Sequence, residues 1–192
     1  MSEKMIMNSK VKTFMTLLSG IIIAIAVLFF GSGTAWAAEV SDQAGLEAAL
    51  SGTDDVITLT GNITLTSDIT VDRAVTLSGG DTITLDTAGY SLIVASGGNL
   101  TVDGDLTITG SGEQTINVQN AGTFSLSSGN VISANESDWH AAIYIEGGGT
   151  VNIDGGTIVS DDNRSEGALY ANGGHRYGEC QRRSNHRLFT WN

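Results

Sequence analysis

The sequence has few of the residues that form disulfide bonds or metal sites. Its 192 residues include no proline, one cysteine (Cys180) and three histidines. A single cysteine cannot form a disulfide within the chain. His140 is the only histidine between residues 38 and 174, and a zinc site requires several histidine or cysteine ligands. We therefore expect no disulfide framework, no metal site and no cofactor.

Positive charge is almost absent from the middle of the chain. All three lysines lie within the first twelve residues, and four of the six arginines lie at or beyond residue 176. Residues 38–174 retain Arg73 and Arg164 against 19 acidic side chains, which gives this segment a net charge of −17. Such a segment cannot neutralise phosphate groups, which excludes nucleic-acid binding. Its regular Val, Ile and Leu residues exclude disorder.

The first 37 residues have the pattern of a secretory signal peptide. A lysine-bearing start is followed by an apolar run at 21–30 and then by Ala35-Trp36-Ala37, a small-x-small cleavage site. We predict cleavage after Ala37 and a secreted or cell-surface protein. The alternative is an uncleaved anchor, although the interrupted apolar stretch 14–30 is marginal in length for a membrane span. Membrane contact is expected only through this segment.

The last 18 residues differ in character from the rest of the chain. Residues 175–192 are basic and do not alternate between polar and apolar residues. One set of codons for residues 179–185, read one base forward, encodes N-V-N-G-G-V-I, which follows the pattern of residues 151–158 (V-N-I-D-G-G-T-I). We interpret 175–192 as a disordered tail produced by a frameshift in one more repeat, which truncates the protein. A genuine basic tail is the alternative.

Between these ends, short alternating stretches are separated by Gly, Asn, Asp and Ser, which indicates strands and tight turns. Apolar residues of every third strand recur at intervals of 23 to 27, in three columns. The columns are Val75, Leu100, Phe124 and Val151; Ile83, Leu106, Ile132 and Ile158; and Leu92, Ile116, Ile143 and Leu169. The shared period predicts a parallel β-helix of about four coils with three strands per coil. A β-sandwich, the alternative, does not explain it.

A short helix is predicted just before the strands. It covers residues 41–50, with Ser41 as its N-cap and Gly52 as its stop. Its apolar face consists of Leu46, Ala49 and Leu50. A single coil of about 25 residues does not bury enough apolar surface to offset the entropy of ordering it, so the open first coil needs a cover. We therefore assign 38–52 to a capping helix and 53–174 to the β-helix.

The order of these segments resembles that of a known family. The motifs are L-E-A-A-L in the helix, then D-D-V-I-T-L-T-G-N-I-T-L, then G-G-T-V-N-I-D-G-G-T-I in the strand repeats. Over residues 39–174 they resemble the N-terminal part of pectate-lyase-like proteins, above all bacterial secreted and cell-surface members. The resemblance implies an all-β fold, a right-handed parallel β-helix (solenoid). It implies no single activity, because that superfamily includes polysaccharide lyases, glycoside hydrolases and adhesins.

The carboxylates of the strand segment are attributed to turns rather than to catalysis. Asp103, Asp105 and Asp154 lie beside glycines where the chain must turn, and Asp favours turns because its side chain bonds the nearby backbone. A glycoside hydrolase needs two carboxylates at a set separation, and a lyase needs calcium and a basic group. Arg73 and Arg164 are the only basic candidates. We predict no catalytic residue.

The two longest connections form the best candidate for a binding surface. Residues 133–142 and 159–168 join the second column to the third in successive coils, so we expect them side by side. An aromatic ring surrounded by polar groups suits a sugar. The predicted ligand-binding residues are Asn135, Asp138, Trp139, His140, Asp161, Asp162 and Arg164. In the alternative, Trp139 only covers its own loop.

These observations predict a non-enzymatic β-helix, secreted or at the cell surface, that acts in adhesion or glycan contact. The expected partner is a polysaccharide or a cell-surface glycan. A last coil without a successor also predicts end-to-end self-association, because unpaired strand edges aggregate. The alternative function is that of an N-terminal fragment of a polysaccharide lyase or glycoside hydrolase, whose site lay in the lost coils.

Overall fold

The computed structural model describes residues 37–134, 141–160 and 168–172, and the backbone of two short strands at 181–183 and 186–188. The described residues form a parallel β-solenoid of about four turns with one short helix near its N-terminal end. The parallel β-solenoid and the N-terminal helix predicted from the sequence are therefore confirmed. The predicted signal segment lies outside the described residues except for Ala37.

Three parallel sheets run along the solenoid, and each coil contributes one strand to each sheet. The first sheet contains β1 (Ala37–Val40), β2 (Val56–Leu59), β5 (Ala74–Ser78), β8 (Asn99–Val102), β11 (Thr123–Leu126) and β14 (Thr150–Ile153). The second contains β3 (Ile63–Thr64), β6 (Thr84–Asp86), β9 (Thr107–Gly110), β12 (Asn130–Ser133) and β15 (Thr157–Ser160). The third contains β4 (Ile69–Val71), β7 (Leu92–Val94), β10 (Gln114–Val118), β13 (Ala141–Glu146) and β16 (Leu169–Asn172).

The first and third predicted columns of apolar residues are confirmed. The first column, Val75, Leu100, Phe124 and Val151, is paired from coil to coil, and all four side chains are buried. The third column, Leu92, Ile116, Ile143 and Leu169, is paired in the same way. Its first three members are buried and Leu169, in the last coil, is half-buried. Removal of these side chains from water is the main stabilising contribution to each coil.

The second column is not the single register column that was predicted. Ile158 belongs to the register of Leu85, Ile108 and Val131, whereas Ile83 and Leu106 lie two residues before Leu85 and Ile108. Val131, not Ile132, is the buried apolar residue of β12, and it pairs with Ile108 in the preceding coil and Ile158 in the following one. The turn ends at Gly129, whose φ of +86° suits glycine, and β12 starts at the next residue. Since side chains alternate along a strand, this register turns Ile132 outward. At Ile132 the prediction was wrong by one residue because two adjacent β-branched residues fit the alternation equally well.

The helix α1 (Gln43–Ser51) packs its apolar face into the core of the first coil. Its buried residues, Leu46, Ala49 and Leu50, are those predicted, and they belong to the same hydrophobic core as the strands. The prediction of Ser41 as N-cap was wrong. Asp42 is the N-cap, and its carboxylate accepts a hydrogen bond from the Gly45 amide at 2.8 Å. Strand β1, which the sequence did not predict, pairs with β2 and extends the first sheet beyond the first coil.

Side-chain hydrogen bonds hold α1 to the first coil at both of its ends. At the N-terminal end, the Gln43 amide accepts from the Thr66 backbone N–H at 2.7 Å and donates to the Ser67 hydroxyl at 2.8 Å. At the C-terminal end, the half-buried Arg73 guanidinium donates to the Ala74 carbonyl oxygen beside it and to three carbonyl oxygens at and after the end of the helix. The three belong to Ala49 (2.9 Å), Leu50 (2.9 Å) and Asp54 (2.7 Å). Arg73 therefore binds carbonyl groups at and just after the end of the helix, where the helix itself supplies few donors; the Ala49 carbonyl also accepts from the Gly52 amide.

Small residues line the inner side of the corner between the second and third sheets. Thr87, Gly110 and Ser133 follow one another in successive coils at this corner, and Thr87 and Ser133 are fully buried. A Cβ atom on Gly110 would collide with the Thr87 hydroxyl and would come within 3.2 Å of the Thr115 hydroxyl. Glycine is therefore required at position 110 because a neighbouring side chain occupies the space of its missing Cβ.

The predicted tail contains the two remaining described strands. Strands β17 (Gln181–Arg183) and β18 (His186–Leu188) pair in antiparallel orientation and join none of the three parallel sheets. The interpretation of residues 175–192 as a frameshifted tail stays a prediction, because it depends on the nucleotide sequence.

The first prediction concerns the attachment of α1. Replacing Arg73 with Met keeps an apolar stem but removes the donors to four carbonyl groups, three of them at and after the end of the helix. The variant is expected to lower the free energy of unfolding by about 2 kcal/mol, as for hydrogen bonds from a charged donor. Urea denaturation measures the change. Arg73→Lys keeps the charge but presents a single donor group. Its free energy of unfolding should lie between those of the wild type and of Arg73→Met. A Met variant as stable as the wild type would show that Arg73 does not hold the helix.

The second prediction concerns the small-residue corner. Gly110→Ala is expected to lower the free energy of unfolding by about 1–3 kcal/mol, because the new methyl group overlaps the Thr87 hydroxyl. Thr87→Ala removes that hydroxyl, which has no hydrogen-bond partner, and should cost little alone. The double variant Thr87→Ala/Gly110→Ala should recover most of the lost stability in a thermal melt. A double variant as unstable as Gly110→Ala would contradict the collision.

Candidate functional site

The connections from the second sheet to the third follow one edge of the solenoid, which we call the loop edge. In successive coils they comprise residues 65–68, 87–91, 111–113, 134–140 and 161–168, so the last two are the longest, as predicted. These two connections begin after Ser133 and Ser160, which are paired, and they lead to Ile143 and Leu169, which are also paired. Because paired strands lie about 4.8 Å apart, both connections leave from and return to adjacent positions.

The seven predicted ligand-binding residues all lie outside the described residues. Asn135, Asp138, Trp139 and His140 belong to the stretch 135–140, and Asp161, Asp162 and Arg164 belong to 161–167. Their role in binding stays a prediction. What the structure adds is the position of the strands from which both stretches start.

Tyrosine side chains gather on one side of the described solenoid. Tyr90 lies on the loop edge with 41% of its surface exposed, and Tyr144 and Tyr170 project outward from the third sheet. Over the ranges that the structure describes, the outward residues of the first sheet are polar apart from Ala37, Val56 and Ala74, and no aromatic residue projects from the second sheet. The aromatic surface of the described solenoid is therefore concentrated on the third sheet and the edge that leads into it.

Tyr144 and Tyr170 form an ordered pair. They are register partners on β13 and β16, and their ring centroids are 5.6 Å apart with an angle of 21° between the ring planes. This separation and angle correspond to the offset stacking that aromatic rings prefer. The Asn172 side-chain amide donates a hydrogen bond of 2.7 Å to the Tyr144 hydroxyl, which restricts the rotation of that side chain. The pair therefore presents aromatic surface in a fixed orientation.

Polar groups surround this pair on the same surface. We call the outward side chains of the third sheet the tyrosine face: Thr70, Ile93, Asn117, Glu146 and Asn172 together with Tyr144 and Tyr170. Asn117 is the register partner of Tyr144 in the preceding coil. The oxygen of the Asn117 side-chain amide (Oδ1) is shielded from solvent and has no hydrogen-bond partner. The tyrosine face thus combines aromatic surface with amide groups that can donate and accept hydrogen bonds.

The described carboxylates at the turns make local structural contacts. Asp103 accepts a hydrogen bond from the Ser128 hydroxyl at 3.2 Å, and the same serine accepts from the Gly104 amide of the neighbouring turn. Asp86 accepts from the Ala88 amide at 2.8 Å. Arg73, one of the two basic candidates for catalysis, directs its guanidinium at the carbonyl groups around the end of α1. These residues therefore have structural partners in the solenoid.

The described residues contain neither a metal-binding cluster nor a membrane-spanning helix. No group of three or more His, Cys, Asp and Glu side chains is arranged there to hold a metal ion. In the same ranges, no helix has both the length and the apolar character that crossing a membrane requires.

Comparison with known proteins identifies no relative of this chain. No family model, no curated protein and no solved structure matches it. The likeness to a superfamily therefore depends on the sequence motifs and on the solenoid itself. The function has to be argued from the surface of this chain.

The sequence reasoning missed the tyrosine pair, although a signal for it was present. Tyr144 and Tyr170 are 26 residues apart, which is one coil period, and each follows directly after a member of the third apolar column. Two outward residues one period apart become neighbours in a stacked solenoid.

Proposed function

We propose that this protein is a secreted or cell-surface β-helix that contacts glycans in adhesion and has no enzymatic activity of its own. The observation that carries the proposal is the ordered pair of Tyr144 and Tyr170 on an outward sheet face, with amide side chains beside it. Sugar rings present apolar C–H groups that pack on aromatic rings, and hydroxyl groups that pair with amides. This surface therefore has the chemistry that recognition of a glycan requires.

The proposal extends to the fold family and the location. The three motifs quoted above and the solenoid with its N-terminal helix support a right-handed β-helix of the pectate-lyase-like kind. The apolar run and the small-x-small site in residues 1–37 support export. An elongated solenoid outside the cell offers long, regular faces for contact with extended polymers.

A glycan array with the full chain tests the proposal against its enzymatic alternative. Binding is expected to a set of polysaccharides, and incubation with the bound polymers and with pectin should release no reducing ends or unsaturated products. Turnover by this chain would show that it is a polysaccharide-degrading enzyme. Failure to bind any glycan in a folded preparation would refute the proposed function.

A third prediction tests the loop edge through Trp139. If the connections at 134–140 and 161–168 contact the glycan, Trp139→Ala should weaken binding by about 1–3 kcal/mol, as expected for an exposed aromatic anchor. Trp191→Ala, in the tail, is the matched control and should leave binding unchanged. The circular dichroism spectrum and thermal midpoint should match those of the wild type. Unfolding of Trp139→Ala would show instead that Trp139 covers its own loop.

A further inference from the structure

We infer that the tyrosine face is itself a glycan-binding surface and that it takes neutral rather than acidic polysaccharides. The inference rests on the proposed function, because it names the surface and the ligand class for glycan contact. It does not depend on the long connections of the loop edge. Its basis is the ordered tyrosine pair on the third sheet, the amide side chains beside that pair, and the negative charge of this part of the chain.

The tyrosine face is ordered before any ligand binds. Backbone pairing of β13 with β16 fixes the two tyrosines beside each other, and the bond from Asn172 fixes the Tyr144 hydroxyl. Ligands that bind to ordered side chains lose less affinity to the entropy of ordering them. Both tyrosines are half-buried, so part of each residue remains exposed to solvent. The exposed part of the pair is therefore held in place at low entropic cost.

The amide groups of the face match hydroxyl groups rather than ions. An amide side chain has both donors and acceptors, as a sugar hydroxyl does, and carries no net charge. The exposed side chain of Asn172 lies beside the pair, and its amide nitrogen donates to the Tyr144 hydroxyl. Asn172 thus flanks the tyrosine pair with an amide suited to a neutral, hydroxyl-rich ligand, whereas the side-chain oxygen of Asn117 is shielded from solvent and so from a ligand.

Charge separates the two classes of polysaccharide. Glu146 is the charged residue of the tyrosine face, and residues 38–174 have a net charge of −17. Arg73, the one arginine or lysine within 37–134, 141–160 and 168–172, donates to carbonyl groups around the end of α1. A polymer of uronic acids is negatively charged, so the acidic side chains of the solenoid would repel it. At physiological ionic strength this repulsion extends over about 8 Å. A neutral polymer meets no such barrier.

Affinity electrophoresis of the full chain tests both parts of the inference. The probes are xyloglucan and mixed-linkage β-glucan as neutral polymers, and polygalacturonate as the acidic one. The wild type should be retarded by at least one neutral polymer and not by polygalacturonate. Retardation by the neutral polymer should persist with little change when the ionic strength rises from about 0.01 M to about 1 M. Stronger retardation by polygalacturonate would overturn the assignment of the ligand class.

Three variants locate the binding surface. Tyr170→Thr, which keeps a residue that favours strands, should weaken binding to the neutral polymer at least about tenfold. Tyr170→Phe keeps the ring and should bind within about twofold of the wild type. Tyr90→Thr, the matched control outside the pair, should bind as the wild type does. Thermal melts establish that each variant is folded, and if Tyr170→Thr unfolds, Tyr144→Thr removes the other ring of the pair and should weaken binding likewise.

The outcomes separate this inference from the proposed function. A folded wild type that binds no glycan on the array refutes both, whereas one that binds glycans on the array but neither neutral polymer refutes this inference alone. A wild type that binds, with Tyr170→Thr unchanged and Trp139→Ala impaired, refutes the tyrosine face and leaves glycan contact at the loop edge. Loss of binding in Tyr90→Thr equal to that in Tyr170→Thr would also overturn the inference, because it would show that the pair has no special role.

Discussion

Backbone hydrogen bonds between successive coils are the interaction on which the rest of this structure depends. A coil of this size cannot stabilise itself, so each one requires a paired neighbour on either side. At the N-terminal end the neighbours are β1, which pairs with β2, and α1, whose apolar face enters the same core. Arg73 and Gln43 hold the helix in place through bonds to the coil beneath it. The same pairing sets the register that stacks inward residues into columns.

The same constraint orders the outward surface. Since each strand pairs in register with the strand one coil away, outward residues one period apart must lie side by side. Tyr144 and Tyr170 form their stacked pair for this reason, and Asn117 lies one coil before them. The strand pairing that places Ile143 and Leu169 in the core thus also places aromatic rings and amide side chains beside one another on the outer surface. Stability and the proposed recognition therefore depend on one register.

Much of this architecture could be predicted from the sequence because a solenoid repeats its pattern. The first and third columns and the buried face of α1 followed from spacing alone. The spacing predicted the wrong buried residue at Ile132, because its neighbour Val131 fits the same alternation. Only the pairing with adjacent coils determines which of the two side chains points inward. The spacing also misplaced the helix N-cap at Ser41, because Asp42 has equal capping chemistry. The predicted contacts of Trp139 and Arg164 stay predictions, since non-repeating loops have no period to constrain them.

The most direct measurement is an NMR titration of the wild-type chain with xyloglucan oligosaccharides, followed through its assigned backbone amides. The account predicts that shifts concentrate on the third sheet around Tyr144, Tyr170 and Asn172. The amides of outward residues of the first sheet, such as Thr101 and Ser125, should remain unchanged. Shifts confined to the first sheet, or no shifts at saturating oligosaccharide, would contradict the claim that the tyrosine face contacts neutral glycans.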